Sequence, residues 1–429
     1  MQFTKVFFVS IVVVALASSG TPASAAEAGQ NTQTPSAAFG DNIDFLRQYT
    51  DVVVLSDRHG ASKVALAPAW QGRVMTSTAQ GTGGRSFGWI NRKLIASRKP
   101  TPHINALGGE DRLWLGPEGG QFSLYFAKGV PFDLAHWYVP AALDTLPFEI
   151  VQKSTESITF KSEFTLTNYS GTSFRVGIQR EIRVLEPDGV WQYLHTSPLT
   201  DLQLVAYESH NRLTNVGTNP WVKKNGLLSI WILGMFNPSP ATTIFVPIKP
   251  GPESSLGDKA TSNYFGGVPP DRLKVSDDAV FLRADGQFRS KIGVSPRRSL
   301  GLLGSYDADH HVLTIVQSNQ PQGVTDYVNS LWHLQDDPYS GDALNAYNDG
   351  PPTPGAAQLG PFFELETSSP AAALLPSESI EHTHRTIHLT GPEAQLDVVA
   401  RQALGVPLAT LQGAFSTTSR AQLQAHPAR

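Results

Sequence analysis

The 429-residue chain has no cysteine. That absence removes disulfides, thiolate nucleophiles and thiolate metal sites together, so the fold rests on its apolar core. Charge is also scarce. Charged residues make up 16% of the chain, and 33 Lys and Arg against 37 Asp and Glu leave a formal net charge of −4. Without a basic field the chain offers nothing to nucleic acid or anionic lipid, which points to a neutral partner. Long apolar runs are missing too. The nearest approach, residues 6–17, is shorter than the ~20 residues a membrane-spanning helix needs and is broken by Ser18-Ser19-Gly20, so no membrane insertion is expected.

That short apolar run has another reading. Lys5 supplies a positive start, residues 6–17 an apolar centre and Ala23-Ser24-Ala25 a small-residue cleavage site, the pattern of a secretory signal peptide over residues 1–25. Cleavage near Ala25 releases a soluble periplasmic or secreted protein that begins at Ala26. Residues 26–40 are polar and rich in Ser, Thr, Ala and Pro, a tether with nothing to bury.

From residue 41 to 429 neither a repeat nor a linker composition divides the chain, which predicts a single domain. A short helix is expected over 42–49, with Asp41 a candidate cap. Short β-rich runs follow, bounded by Gly, Pro, Asn and Asp: 51–55, 63–68, 73–78, 121–126, 148–153, 157–166 and 174–185. Phe160, Phe164 and Leu166 alternate with Lys161, Glu163 and Thr165, as in antiparallel sheets with one face wet. Further strands are expected within 202–248, at Phe281, and over 311–318, 362–367 and 380–389. Residues 249–271 form a loop too long for a bare connector and able to cover a site; 336–360 form a second. One convincing helix closes the domain at about 392–411, with Leu396, Val399, Ala400, Ala403 and Leu404 at three-and-four spacing.

Three stretches resemble the galactose mutarotase-like superfamily, which includes the aldose 1-epimerases. Ala61-Ser62-Lys63-Val64-Ala65-Leu66-Ala67-Pro68-Ala69-Trp70-Gln71-Gly72-Arg73-Val74-Met75 looks like its opening hairpin. Leu213-Thr214-Asn215-Val216-Gly217-Thr218-Asn219-Pro220-Trp221 is similar to its Asn/Gly/Pro strand-turn element. Phe363-Glu364-Leu365-Glu366-Thr367, followed by Leu375-Pro376-Ser377-Glu378-Ser379, is similar to its Glu-bearing strand and turn. The resemblance implies an all-β fold, a large antiparallel β-supersandwich with a few short helices and the C-terminal helix, and a monosaccharide or sugar terminus as ligand. Gly108 to Gly120 resembles bacterial exported families of unassigned function. One departure stands out. Where mutarotases carry a catalytic His, this chain reads Ile232-Leu233-Gly234-Met235-Phe236-Asn237.

The residues themselves offer several candidate sites. Glu110, Asp111, Arg112, Trp114 and Glu118 crowd into one glycine-flanked stretch. In an extended backbone Arg112 and Trp114 share a face, either as a hydroxyl-binding and ring-stacking pair or as part of a turn with an internal Arg–carboxylate bridge. The resemblance implies that Arg112 holds ring hydroxyls. On the 362–367 strand, Glu364 and Glu366 also share a face ~7 Å apart. Burial of that face raises at least one pKa and makes a base; an exposed acidic face is the alternative. By the resemblance, Glu366 matches the catalytic Glu best.

His382, His384 and His388 alternate on the 380–389 strand, as metal ligands, proton carriers, or core or surface residues. No cofactor is required. His103 with Asn105, and His136 beside Trp137, complete the candidates, the two histidines as substitutes for the missing acid. The expected function is that of an exported carbohydrate-active enzyme using Glu-based acid/base catalysis, an epimerase, hydrolase or lyase. The alternative is a noncatalytic glycan-binding protein on the same fold.

Overall fold

Alternation of apolar and polar residues builds the long strands. In Ser157–Thr167, Ile158, Phe160 and Leu166 are buried while Lys161, Glu163 and Thr165 face solvent. The structure, a computed structural model, describes residues 37–415. The expected signal peptide, and the expected tether up to residue 36, lie outside the described residues.

Two large antiparallel sheets face each other, with a third small one beside them. The ten-stranded sheet runs, in spatial order, Leu273–Val275, Ala279–Arg283, Thr242–Pro247, Leu302–Asp307, Val312–Ser318, Ser379–Thr390, Gln203–Asn215, Ser173–Val184, Ser157–Thr167 and Glu149–Lys153. The five-stranded sheet runs Ser290–Val294, Leu344–Asn348, Phe363–Ser368, Ser229–Phe236 and Arg112–Gly116. Val53–Ser56, Lys63–Ala67 and Arg73–Thr78 make the third. This is the all-β sandwich architecture expected from the sequence.

The inner face of the five-stranded sheet packs on the ten-stranded one. Phe363, Leu365, Ile292, Val294 and Leu344 join Ile244, Val246, Leu303 and Val316 in one core cluster. Because side chains alternate along a strand, the partners of Phe363 and Leu365 on the same strand, Glu364 and Glu366, are driven to the opposite, outer face. A third layer covers the far side of the ten-stranded sheet, where Leu396, Val399, Leu404, Leu408 and Leu411 pack on Leu204, Ala206, Ile387 and Leu389.

Three expected elements differ. The closing helix is broken: Glu393–Val399 continues as a π-helical turn over Ala400–Leu404, Gly405 turns left-handed at φ 73°, and Leu408–Gly413 starts afresh after Pro407. Gly405 and Pro407 stop it as a C-terminal glycine and a helix-starting proline do. Residues 121–126 form turns rather than a strand. Leu124 N–H donates to the Pro117 carbonyl at 3.1 Å and Tyr125 N–H to Ser123 Oγ at 2.9 Å, so local partners satisfy amides that a ladder would otherwise take. The expected loop 336–360 contains the strand Leu344–Asn348, paired on both edges. Asn345 and Asn348 gave that strand the composition of a turn, yet both are buried.

Candidate functional site

The outer face of the five-stranded sheet floors a cavity of about 460 Å³. Register decides which side chains share it. Lys291, Tyr347, Glu364 and Met235 are successive cross-strand neighbours and form one row of the floor. Leu233 and Arg112 form the next, with Glu366 in register beside Leu233 but short of the cavity, and Trp231 opposite Trp114 forms the third. Trp231, Leu233 and Met235 alternate along one strand, so all three face the cavity. Loops raise the walls: His103 and Trp137 on one side, Phe265 from the 249–271 loop, Trp332, and Asp349 with Leu359.

Glu364 is the carboxyl that this sheet presents to the cavity. It lines the cavity, is only 6% exposed, and is held by the Arg112 guanidinium. Burial pushes its pKa up to about 8; Arg112 opposes that shift and the Glu366 charge adds to it. The Arg112 guanidinium carbon lies 5.0 Å from the Trp114 ring centre. Charge and ring therefore stabilise each other. Arg112 and Trp114 share a face and pair, but they lie on a strand rather than in a turn, and the carboxylate Arg112 meets is Glu364, 252 residues away, rather than one within its own stretch.

Glu366 sits beneath the floor. It is fully buried, and its Oε2 accepts from Lys291 Nζ at 3.0 Å and from Trp231 Nε1 at 2.9 Å. It does not line the cavity, so the carboxyl expected to act as catalyst neutralises a buried lysine instead. Lys291 in turn is held protonated: burial opposes its charge, and Glu366 followed by Glu118 overcomes it. Glu118 lines the cavity, and burial raises its pKa against the pull of Lys291.

His103 also reaches the cavity. Its Nδ1 lies 2.7 Å from the Trp137 carbonyl, and its ring stacks on Tyr138 with centroids 4.4 Å apart. A carbonyl only accepts, so Nδ1 carries the proton and Nε2 is the free acceptor.

Five other expected residues stand elsewhere. His136 is exposed, with Nδ1 2.6 Å from Asp133 Oδ1, because it ends a short helical turn capped by that aspartate. Asn105 is turned away onto Asp144, its Nδ2 donating to Oδ2 at 2.7 Å. Glu110 lies between the sheets, where Ser77 N–H, the Tyr207 hydroxyl (3.1 Å) and His388 Nε2 (3.1 Å) surround it. His382 and His384 also lie between the sheets: Nε2 of the first and Nδ1 of the second meet the Thr367 hydroxyl at 2.7 and 2.9 Å. Thr367 shares the face of Phe363 and Leu365, so both histidines are separated from the cavity by the sheet itself. Among the described residues no three His, Cys, Asp or Glu side chains converge to hold a metal.

Sequence reasoning missed Lys291, Arg289, Tyr347, Asp349, Trp231 and Trp332. Lys291 and Trp231 carried a signal, a charge and a large ring inside apolar strands, but their partner was 75 and 135 residues away.

The chain is similar in fold to several solved structures. A putative aldose 1-epimerase from Escherichia coli K12 aligns at 13% identity and TM-score 0.47, covering 80% of this chain and 99% of that one. The Slr1438 protein from Synechocystis sp. PCC 6803 aligns at 13% and 0.46 over 80% and 96%. A galactose mutarotase-like protein from Lactobacillus casei ATCC 334 aligns at 10% and 0.43 over 79% and 100%. No curated protein matches. A family model spans residues 37–415, nearly the whole chain, and the protein therefore belongs to that family of unknown function, DUF6786.

Proposed function

We propose that this cavity binds a sugar ring or glycan terminus and that Glu364 moves a proton on it. The observation that carries the reading is the placement of Glu364, a buried carboxyl facing the cavity, aimed by Arg112 and with its pKa near 8. A carboxyl in that range exchanges a proton near neutral pH, as a general acid or base must. Half-buried Trp332 provides a flat face for the apolar side of a sugar ring, and the charged floor provides donors and acceptors for its hydroxyls. His103 Nε2 supplies a second acceptor on the wall.

The test incubates the full chain with aldoses and oligosaccharides and follows anomer exchange and product release by NMR. Glu364→Gln keeps the side-chain shape and is expected to lose about 10²–10⁴ of turnover. Unchanged turnover in that variant contradicts the assigned role.

A second reading, glycan binding without turnover, is favoured by Leu233 and Met235. They are apolar floor residues in the segment where the resembled superfamily carries its His. Under that reading both proteins bind sugar and neither turns it over. Export belongs to the same proposal, supported by residues 1–25; N-terminal sequencing of the mature protein is expected to begin at Ala26. An intact Met1 contradicts it.

A further inference from the structure

Two of the cavity's cations are held by carboxylates and a third is not. Arg112 is bound to Glu364 and Lys291 to Glu366. Asp349, the acid near Arg289, has Oδ1 taken by the Tyr347 hydroxyl at 2.6 Å and Oδ2 by the Gly360 N–H at 2.9 Å. Arg289 lines the cavity and forms neither an ion pair nor a hydrogen bond with any described residue. Its guanidinium lies over the Phe265 ring, 3.7 Å from the centroid. Stacking fixes the plane of the group and leaves its N–H edge free, the arrangement in which arginine takes a planar anion through two parallel hydrogen bonds.

Resting on the carbohydrate reading above, we infer that the ligand is an acidic sugar whose anionic group binds Arg289. A neutral sugar leaves the half-buried guanidinium without a directly hydrogen-bonded counter-charge, a cost an anionic substituent removes. Burial raises the pKa of Glu118 and of Asp349, and the nearby Arg289 charge opposes that rise in both. An anion on the free edge of Arg289 lies beside Phe265, and Trp332, whose ring centroid is 6.0 Å from that of Phe265, lines the same cavity.

The experiment measures calorimetric affinity of the full chain for glucose and galactose, their uronic acids, their 6-phosphates and their 6-sulfates. The proposal expects at least one acidic form to bind about 10-fold or more tighter than its neutral parent, with a preference that weakens as salt is raised. The identity of that form separates carboxylate from phosphate and sulfate. In Arg289→Gln the acidic-to-neutral ratio falls to near one, and in Arg289→Lys part of it survives. A thermal melt of each variant shows that it is folded. Equal affinity for neutral and acidic forms, with sugar still bound, overturns the acidic-ligand inference alone; so does a ratio unchanged in Arg289→Gln. Absence of binding by every sugar overturns the carbohydrate reading and this inference with it.

Discussion

Glu364 and Glu366 are two positions apart on one strand and share a face, yet they have different work. Glu364 meets the cavity; Glu366 meets Lys291 and Trp231. The sequence predicted the shared face from the period of two, and a pKa rise if that face were buried, but depth was not legible. It is set by side chains arriving from other strands, and these made the second glutamate structural. Glu366→Gln therefore leaves the buried Lys291 ammonium without its counter-charge and is expected to cost about 3–5 kcal/mol in urea unfolding. Removing both charges, with Lys291→Met added, is expected to recover part of that loss, since the uncompensated ion is gone. A cost that is simply additive contradicts the pairing. For Glu364, a raised carboxyl pKa means a protonated acid below about 8 and a base above it. If it acts as a base, kcat/KM climbs with pH through that value; if as an acid, it falls there.

At the level of elements, the strand Ser379–Thr390 shows how a correct periodicity can carry a residue to the wrong side. Alternation does put His382, His384 and His388 on one face, but that face looks into the space between the sheets, where Thr367 and Glu110 receive them. Nothing in one strand's pattern says which of two buried faces borders a cavity. Burial lowers the pKa of His382 from 6.5 to about 3 and of His384 to about 4. The unfolded chain thus binds more protons than the folded one between those values and 6.5, so stability is complete above 6.5 and declines as pH falls below it. The slope approaches about 1.4 kcal/mol per pH unit for each histidine. Chemical unfolding at a series of pH values checks this, and replacing His384 by Gln is expected to flatten the slope. The break in the closing helix also belongs to this scale. Gly405 has open space around a notional Cβ, so Gly405→Ala meets only backbone strain at its left-handed φ, a loss of about 1 kcal/mol in a thermal or urea melt.

Across the whole molecule, the architecture was more legible than the site. Alternating strands, glycine and proline turns and the absence of cysteine were enough to predict an antiparallel sandwich, because each is a local signal repeated along the chain. The cavity is the product of five strands and several loops, contributed from His103 to Glu364, and no local signal reports how they meet. Arg112, Trp114, Glu118, Glu364 and His103 were nonetheless singled out because the chemistry of a polar site was concentrated in their segments, and all five line it. What the structure adds is an aromatic face suited to a ring: Trp114 is capped by Arg112 and Phe265 by Arg289, so half-buried Trp332 takes that part. The direct test is saturation-transfer difference NMR of the full chain with a panel of neutral and acidic monosaccharides, comparing wild type with Trp332→Ala. Saturation of ring C–H protons in the wild type, weakened about 10-fold in affinity by the substitution, is the expected result. A panel without any saturated sugar, or saturation undiminished in Trp332→Ala, contradicts the assignment of this cavity to a carbohydrate.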